Sequence, residues 1–226
     1  MRYTWIPFYK EFAEKLMNNR NDRASLLSLI YENREKLLAK YLHDNKGVDD
    51  LLTDVDPFTV FGLFNRGIKS ENRINSAKLF KKLFNMNSDA PADFEGIPIL
   101  NNQRSYFFGY RNLREKEDID NLWSLFEKVV KGEDIEDTFN VVIKQYGINI
   151  NITMALFCLR TPIIVVTEQS ETRKNRGTIS MSTCGGSVRT LCCKVLPERA
   201  RHIVSPNWWY ACAALSLMQR MPLAKS

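Results

Sequence analysis

The side chains best suited to chemistry in this chain are a scattered set of amides, guanidinium groups and one phenol. They are Asn65, Arg66, Asn72, Arg73, Asn101, Asn102, Arg104, Tyr106 and Arg111. Amides and guanidinium groups present paired donors and acceptors to base edges, and an aromatic ring beside them can stack on a base. That combination points to nucleic-acid contact. The alternative is that the asparagines build turns and the arginines solvate loops. The following Tyr106-Phe107-Phe108 run suits a core better than a stacking platform.

Catalytic chemistry has thinner support. The sequence holds no G-x-x-x-x-G-K-[ST] loop and no G-x-G-x-x-G, so neither common phosphate cradle is present. Its two histidines, His43 and His202, are too few and too far apart for an H-E-x-x-H metal site. Five cysteines, Cys158, Cys184, Cys192, Cys193 and Cys212, include no C-x-x-C pair that would present two thiolates to one metal. No metal and no cofactor are therefore expected. Glu117, Asp118 and Asp120 fall at a predicted helix start, where carboxylates favour the positive end of the dipole. Asp49, Asp50, Asp54 and Asp56 read as a solvated acidic linker ending in a helix cap. Asn151-Ile-Thr153 is formally a glycosylation sequon. The expectation is a chain that binds without turnover of its own.

The elements that must position these residues are mostly helices. Phe8, Phe12 and Leu16 recur at helical spacing behind Pro7. Leu26, Leu27, Ile30, Tyr31, Leu37, Leu38, Tyr41 and Leu42 form a longer apolar stripe. Asp56-Pro57 is a start signal for the short segment Phe58 to Phe64, with Gly67 as its stop. Ser70 caps a helix carrying Ile74, Ala77, Phe80 and Phe84. Helical signals resume at Asp118, with Ile119, Leu122, Trp123, Phe126, Val129 and Val130 on one face and Gly132 at the end. A last helix carries Phe139, Val142, Ile143 and Tyr146, with Gly147 beyond it. Between these, residues 93–113 hold Gly96, Pro98 and an Asn pair, and Ser105 to Tyr110 has the aromatic content of a short strand. The predicted class is mainly α, formally α+β: a helical domain with a small irregular or β insert near residues 93–113, followed by a poorly specified C-terminal tail.

The chain divides at Phe157. Up to that residue there are 22 Lys+Arg and 23 Asp+Glu; from Cys158 onward there are 10 and 3. The net charge of +6 thus belongs to the end of the chain, together with all five cysteines and the Trp208-Trp209 pair. Residues 1–157 read as a helical recognition domain and 158–226 as a basic, cysteine-containing tail. A shifted reading frame near Phe157 would leave such an unselected, disordered tail; a working basic arm that binds nucleic acid through charge is the alternative. The opening residues contain no apolar leader, and Trp208 to Met218 is shorter than the about 20 residues a bilayer span needs. No membrane partner and a cytoplasmic location are expected.

Several blocks, in order, carry a family resemblance. They are Tyr3-Thr-Trp-Ile-Pro-Phe-Tyr-Lys-Glu-Phe-Ala-Glu-Lys-Leu, Asp56-Pro-Phe-Thr-Val-Phe-Gly-Leu-Phe-Asn-Arg-Gly-Ile, Asp93-Phe-Glu-Gly-Ile-Pro-Ile-Leu-Asn-Asn, Asp118-Ile-Asp-Asn-Leu-Trp-Ser-Leu-Phe and Asn151-Ile-Thr-Met-Ala-Leu-Phe. Together they resemble the N-terminal region of bacterial McrB-like proteins, the AAA+ ATPases or GTPases of 5-methylcytosine-specific restriction systems. The resemblance implies a target-recognition module of a phage-defence system, truncated before its NTPase motor. DNA, including methylated DNA, is the implied target, read by flipping a base into a pocket, and an endonuclease subunit is an implied partner. Nothing catalytic carries over, because the matching stretch has no Walker motif. The rival function is a protein-interaction module that docks a motor or nuclease partner without touching DNA.

Overall fold

A computed structural model describes residues 4–45, 50–97, 99–100, 105–148 and 151–159. Over those residues the protein is mainly helical. Six helices run in the order α1 (Trp5–Met17), α2 (Arg23–Glu32), α3 (Pro57–Gly62), α4 (Ser70–Leu83), α5 (Asp118–Lys131) and α6 (Glu136–Val142). Residues 151–159 form a further helix, α7.

α3 is the centre of the fold, and its sequence explains why a six-residue helix can sit there. Asp56 caps it by accepting from the Thr59 amide at 3.0 Å, and Pro57 occupies the first turn, where no amide donor is needed. All six of its residues are buried. Gly62 lies so close to the 105 loop that a Cβ there would stand 2.7 Å from the Ser105 carbonyl oxygen. The absence of a side chain is what permits that approach.

Around α3 the apolar faces of the other helices close one core. α1 buries Trp5, Phe8, Tyr9, Phe12, Ala13 and Leu16, an unbroken stripe at helical spacing. Phe12 alone meets the rings of Phe61, Phe64, Phe80 and Phe84 at centroid distances of 4.8, 5.4, 5.1 and 5.2 Å. Each such pair contributes about 0.5–1.5 kcal/mol beyond simple burial. α5 buries Leu122, Trp123, Phe126 and Val129, with the Phe126 ring against Phe58 and Phe61 of α3, and the Trp123 indole donates to the Val55 carbonyl at 2.9 Å. It ends at Gly132, whose φ of 74° is the left-handed stop its position predicts.

The long loop after α4 is tied down by polar contacts. Thr4 Oγ1, at the start of α1, donates to Asp93 Oδ2 at 3.0 Å and accepts from the Ala92 amide at 3.0 Å. The Trp5 indole donates to the Glu95 carbonyl at 2.9 Å. Glu11 accepts from the amides of Asn87 and Ser88, both at 2.7 Å.

Three local expectations meet a different structure, for identifiable reasons. Ser105 to Tyr110 is not a strand: the Phe107 amide donates to Thr59 Oγ1 at 3.1 Å, so α3 takes the group a partner strand would need. The single β-type contact among the described residues is an isolated parallel bridge between Arg66 and Leu100. The insert near 93–113 is therefore irregular rather than β in its described part. The apolar stripe from Leu26 to Leu42 is also not one helix. α2 stops at Glu32, and Leu38 adopts a left-handed φ of 53°. The acidic stretch from 49 to 56 is not uniformly solvated either, because Asp56 is fully buried.

Candidate functional site

Of the amide and guanidinium candidates, the structure puts three inside. Asn65, Arg66 and Arg73 are only 1%, 4% and 4% exposed. Buried polar groups must find partners, and among the described residues these find carbonyls, an amide, a hydroxyl, a thiol and aromatic rings.

Asn65 is the hub of one cluster. Its Oδ1 accepts from Arg73 at 3.0 Å and from the Tyr9 hydroxyl at 3.3 Å. Its Nδ2 donates to the Cys158 sulfur at 3.0 Å. Arg73 also donates through Nε to the Phe64 carbonyl at 2.9 Å, and its guanidinium lies 3.9 Å from the centre of the Phe94 ring. One amide thus joins α1, the end of α3, α4 and α7. Burial pushes the Cys158 thiol up to about 12, so it stays protonated and inert toward electrophiles.

Arg66 serves a different cluster. It donates to the carbonyls of Leu37 and Leu38 at 3.2 and 2.6 Å, and sits 4.2 Å over the Tyr41 ring. The left-handed turn at Leu38 lies at one of these carbonyls. The Tyr41 ring in turn meets Tyr106 edge-on at 5.3 Å, and Tyr106 meets Phe108 at 5.7 Å. Tyr106 is half-buried, and burial raises its hydroxyl well above the usual range.

Arg111 belongs to a third group. The carboxylate of Asp44, fully buried, accepts from Arg111 Nε at 3.0 Å and is clasped by both ends of the Arg114 guanidinium. Burial alone would raise the Asp44 carboxyl. The hydrogen bonds and charge of Arg114, with Arg111 and Thr53, outweigh it and hold the group below the ordinary carboxylate range. Asn72 lies half-exposed on α4. Asn101, Asn102 and Arg104 lie outside the described residues, as do His202, the other four cysteines and the sequence from residue 160 onward. The structure therefore joins Asn65 to Arg73 and Arg66 to Tyr106, but does not gather the candidates into one open site. The asparagine of the sequon, Asn151, is 3% exposed and closed to glycan attachment in the folded chain.

Sequence reading passed over the outer face of α4. Arg73, Ser76, Ala77 and Phe80 are its buried stripe, at i, i+3, i+4 and i+7. Opposite them, Glu71, Asn75, Lys78 and Lys82 are exposed at i, i+4, i+7 and i+11. Lys78, Lys81, Lys82, Asn85 and Met86 line a shallow depression of about 450 Å³. Lys81 reaches from it to Asp89 at 2.8 Å. The signal that would have found this face is the same periodicity that placed Ala77 and Phe80 inside, read for the residues it leaves out.

Comparison with protein families matches residues 5–175 to a domain of unknown function, DUF8425. The chain belongs to that family. Comparison with curated proteins and with solved structures found no match. The family match begins at α1, takes in every candidate residue above, and runs past Phe157. The described fold also passes that point: Cys158 and Leu159 are buried in α7 at 1% and 2% exposure. No helix among the described residues is long and apolar enough to cross a membrane.

Proposed function

We propose that this chain is a target-recognition module for DNA, of the kind that precedes the motor in McrB-like restriction systems, with no turnover of its own. The observation that carries the reading is the outer face of α4. It is a solvent-facing stripe on which Lys78 and Lys82 follow Glu71 and Asn75, and at its end Lys78, Lys81, Lys82 and Asn85 line one depression, where Lys81 pairs with Asp89. Lysines so placed neutralise phosphates and release counterions, which supplies affinity for a nucleic-acid backbone. The resemblance of the ordered blocks to the N-terminal region of McrB-like proteins supports the same reading. In this account the buried Asn65, Arg66 and Arg73 hold the scaffold that presents α4.

The test is binding of the full chain to a labelled duplex over a range of salt, with unlabelled methylated and unmodified duplexes as competitors. The reading predicts that log K falls linearly with log salt and that duplexes with methylated cytosine compete differently from unmodified ones. Equal competition by both removes modified-base recognition. Absence of salt-dependent binding removes DNA altogether.

A second reading, docking of a protein partner, is favoured by one observation. Leu113 and Tyr146 are 41% and 59% exposed and flank Gly109, where a Cβ would meet the Tyr146 ring at 3.0 Å. Exposed apolar groups held side by side suit a protein contact. Alanine at both positions would abolish capture of a nuclease or motor subunit while leaving DNA affinity unchanged.

A further inference from the structure

Resting on the DNA reading, we infer that α4 is a major-groove helix, with Asn75 at the base edges and Lys78 and Lys82 on the flanking phosphates. Ser70, Glu71, Asn75, Lys78 and Lys82 of α4 are exposed and the residues flanking them are half-buried or buried, so one face of the helix stands clear of the body. An α-helix with side chains is about 10–12 Å across, and the major groove of B-DNA is about 12 Å wide. The helix has 14 residues, a length of about 21 Å at 1.5 Å per residue, enough to follow the groove for roughly six base pairs.

In an order that suits a groove, side chains follow one another along the exposed stripe. Asn75 lies near its middle, and an asparagine amide offers the donor and acceptor that pair bidentately with adenine. Lys78 and Lys82 follow one and two turns later, where a helix leaving the groove passes the backbone. Glu71, a turn before Asn75, is an acceptor that suits a cytosine amino group and disfavours a phosphate. The charges on the stripe are thus sorted, acceptor and amide first and cations last.

Other partners suit the stripe less well. The exposed stripe of α4 carries no aromatic ring on which the bases of a single strand could stack. It presents no exposed apolar residue to enter a lipid surface, since Phe80 and Met86 beside the lysines are buried. The deep, narrow major groove of duplex RNA does not admit a helix. The helix is also held rigid before contact: Arg73 fixes its first half through Phe64, Asn65 and Phe94, and Phe80 fixes its second half in the core. A pre-set helix loses little freedom on docking.

The experiment compares the full chain with two double variants, Lys78→Gln/Lys82→Gln and, as a charge-matched control, Lys116→Gln/Lys144→Gln, whose lysines are exposed elsewhere. All four positions are at the surface, and a shared thermal midpoint shows that each variant is folded. The α4 pair should weaken duplex binding at least tenfold and reduce the slope of log K against log salt by about 2, while the control stays near wild type. Asn75→Ala should keep the wild-type slope and lose a preference for adenine at one position after selection from a randomised duplex library, by about 5- to 100-fold. Unchanged affinity and slope in the α4 pair overturn the inference and leave the DNA reading standing. Preference of the wild-type chain for single strands, duplex RNA or anionic vesicles overturns it too. No salt-dependent binding by the wild-type chain overturns the DNA reading itself.

Discussion

Arg73 and Lys78 lie five positions apart on α4, on opposite sides of the helix, one buried beneath it and one exposed above. Arg73 is tethered to Phe64, Asn65 and the Phe94 ring, whereas Lys78 lines an open depression. A helix advances 100° per residue, so five positions turn it by roughly 140° from the start. The same stretch of sequence therefore anchors the helix and presents it.

Asn65 holds that anchor in place. Asn65→Ala would leave Arg73 and Tyr9 without their shared acceptor and Cys158 without its donor. The expected cost is about 2–3 kcal/mol, the penalty for a buried polar group left unsatisfied. Urea unfolding monitored through the buried Trp5 and Trp123 measures it as a lower midpoint with unchanged slope. A loss below about 0.5 kcal/mol would mean that the hub is incidental.

Asp44 makes a parallel prediction for the 105–114 segment. Asp44→Ala removes the carboxylate that Arg111 and Arg114 share, and Arg114 has little access to water, with a side chain 11% exposed. Removing one partner of such a pair costs about 3–5 kcal/mol. Arg111→Ala, on the more exposed arm, should cost under about 1 kcal/mol. A double-mutant cycle separates the two arms.

pH acts on the fold through Asp56 in the opposite direction from the usual carboxylate. Burial raises its carboxyl from 3.8 to about 6, because the hydrogen bonds from Thr59 only partly offset desolvation. The folded chain therefore holds a proton that the unfolded chain has released between about pH 4 and 6. Stability from this group is full below about pH 4 and is lost as pH rises through about 6, by on the order of 2–3 kcal/mol. Asp56→Asn keeps an oxygen for the Thr59 amide and removes the charge. The stability of the variant relative to wild type should grow from pH 4 to pH 7; a flat difference contradicts the burial of a strained carboxylate.

Gly62 is predicted to be irreplaceable on packing grounds. A Cβ would fall 2.7 Å from a backbone oxygen at Ser105, and neither α3 nor the 105 loop ends in a flexible side chain that could yield. Gly62→Ala should cost about 1–3 kcal/mol despite alanine's better helix propensity. Gly132→Ala is different in kind: nothing lies within 4 Å, and the cost comes only from its φ of 74°. A stabilised Gly62→Ala would show that α3 and the loop are less closely packed than this.

The parts of the fold that local chemistry determines were legible in the sequence. Asp56-Pro57 starts α3, Asp118 starts α5 and Gly132 ends it, each through contacts within a turn. What could not be read depends on partners far along the chain. Asn65 looks like a loop amide until Cys158, 93 residues away, is placed beside it. Arg66 looks like a surface cation until the carbonyls of Leu37 and Leu38 turn toward it. Ser105 to Tyr110 has strand composition, yet Thr59 takes its Phe107 amide. The outer stripe of α4 was the exception, readable from spacing alone but masked by the more conspicuous arginines.

The most direct test of the account is an amine-labelling footprint of the full chain, with and without duplex DNA, read lysine by lysine. The account predicts that Lys78 and Lys82 lose reactivity on adding duplex, while Lys116 and Lys144 keep theirs. Equal labelling of Lys78 and Lys82 in the free and DNA-saturated chain would contradict it.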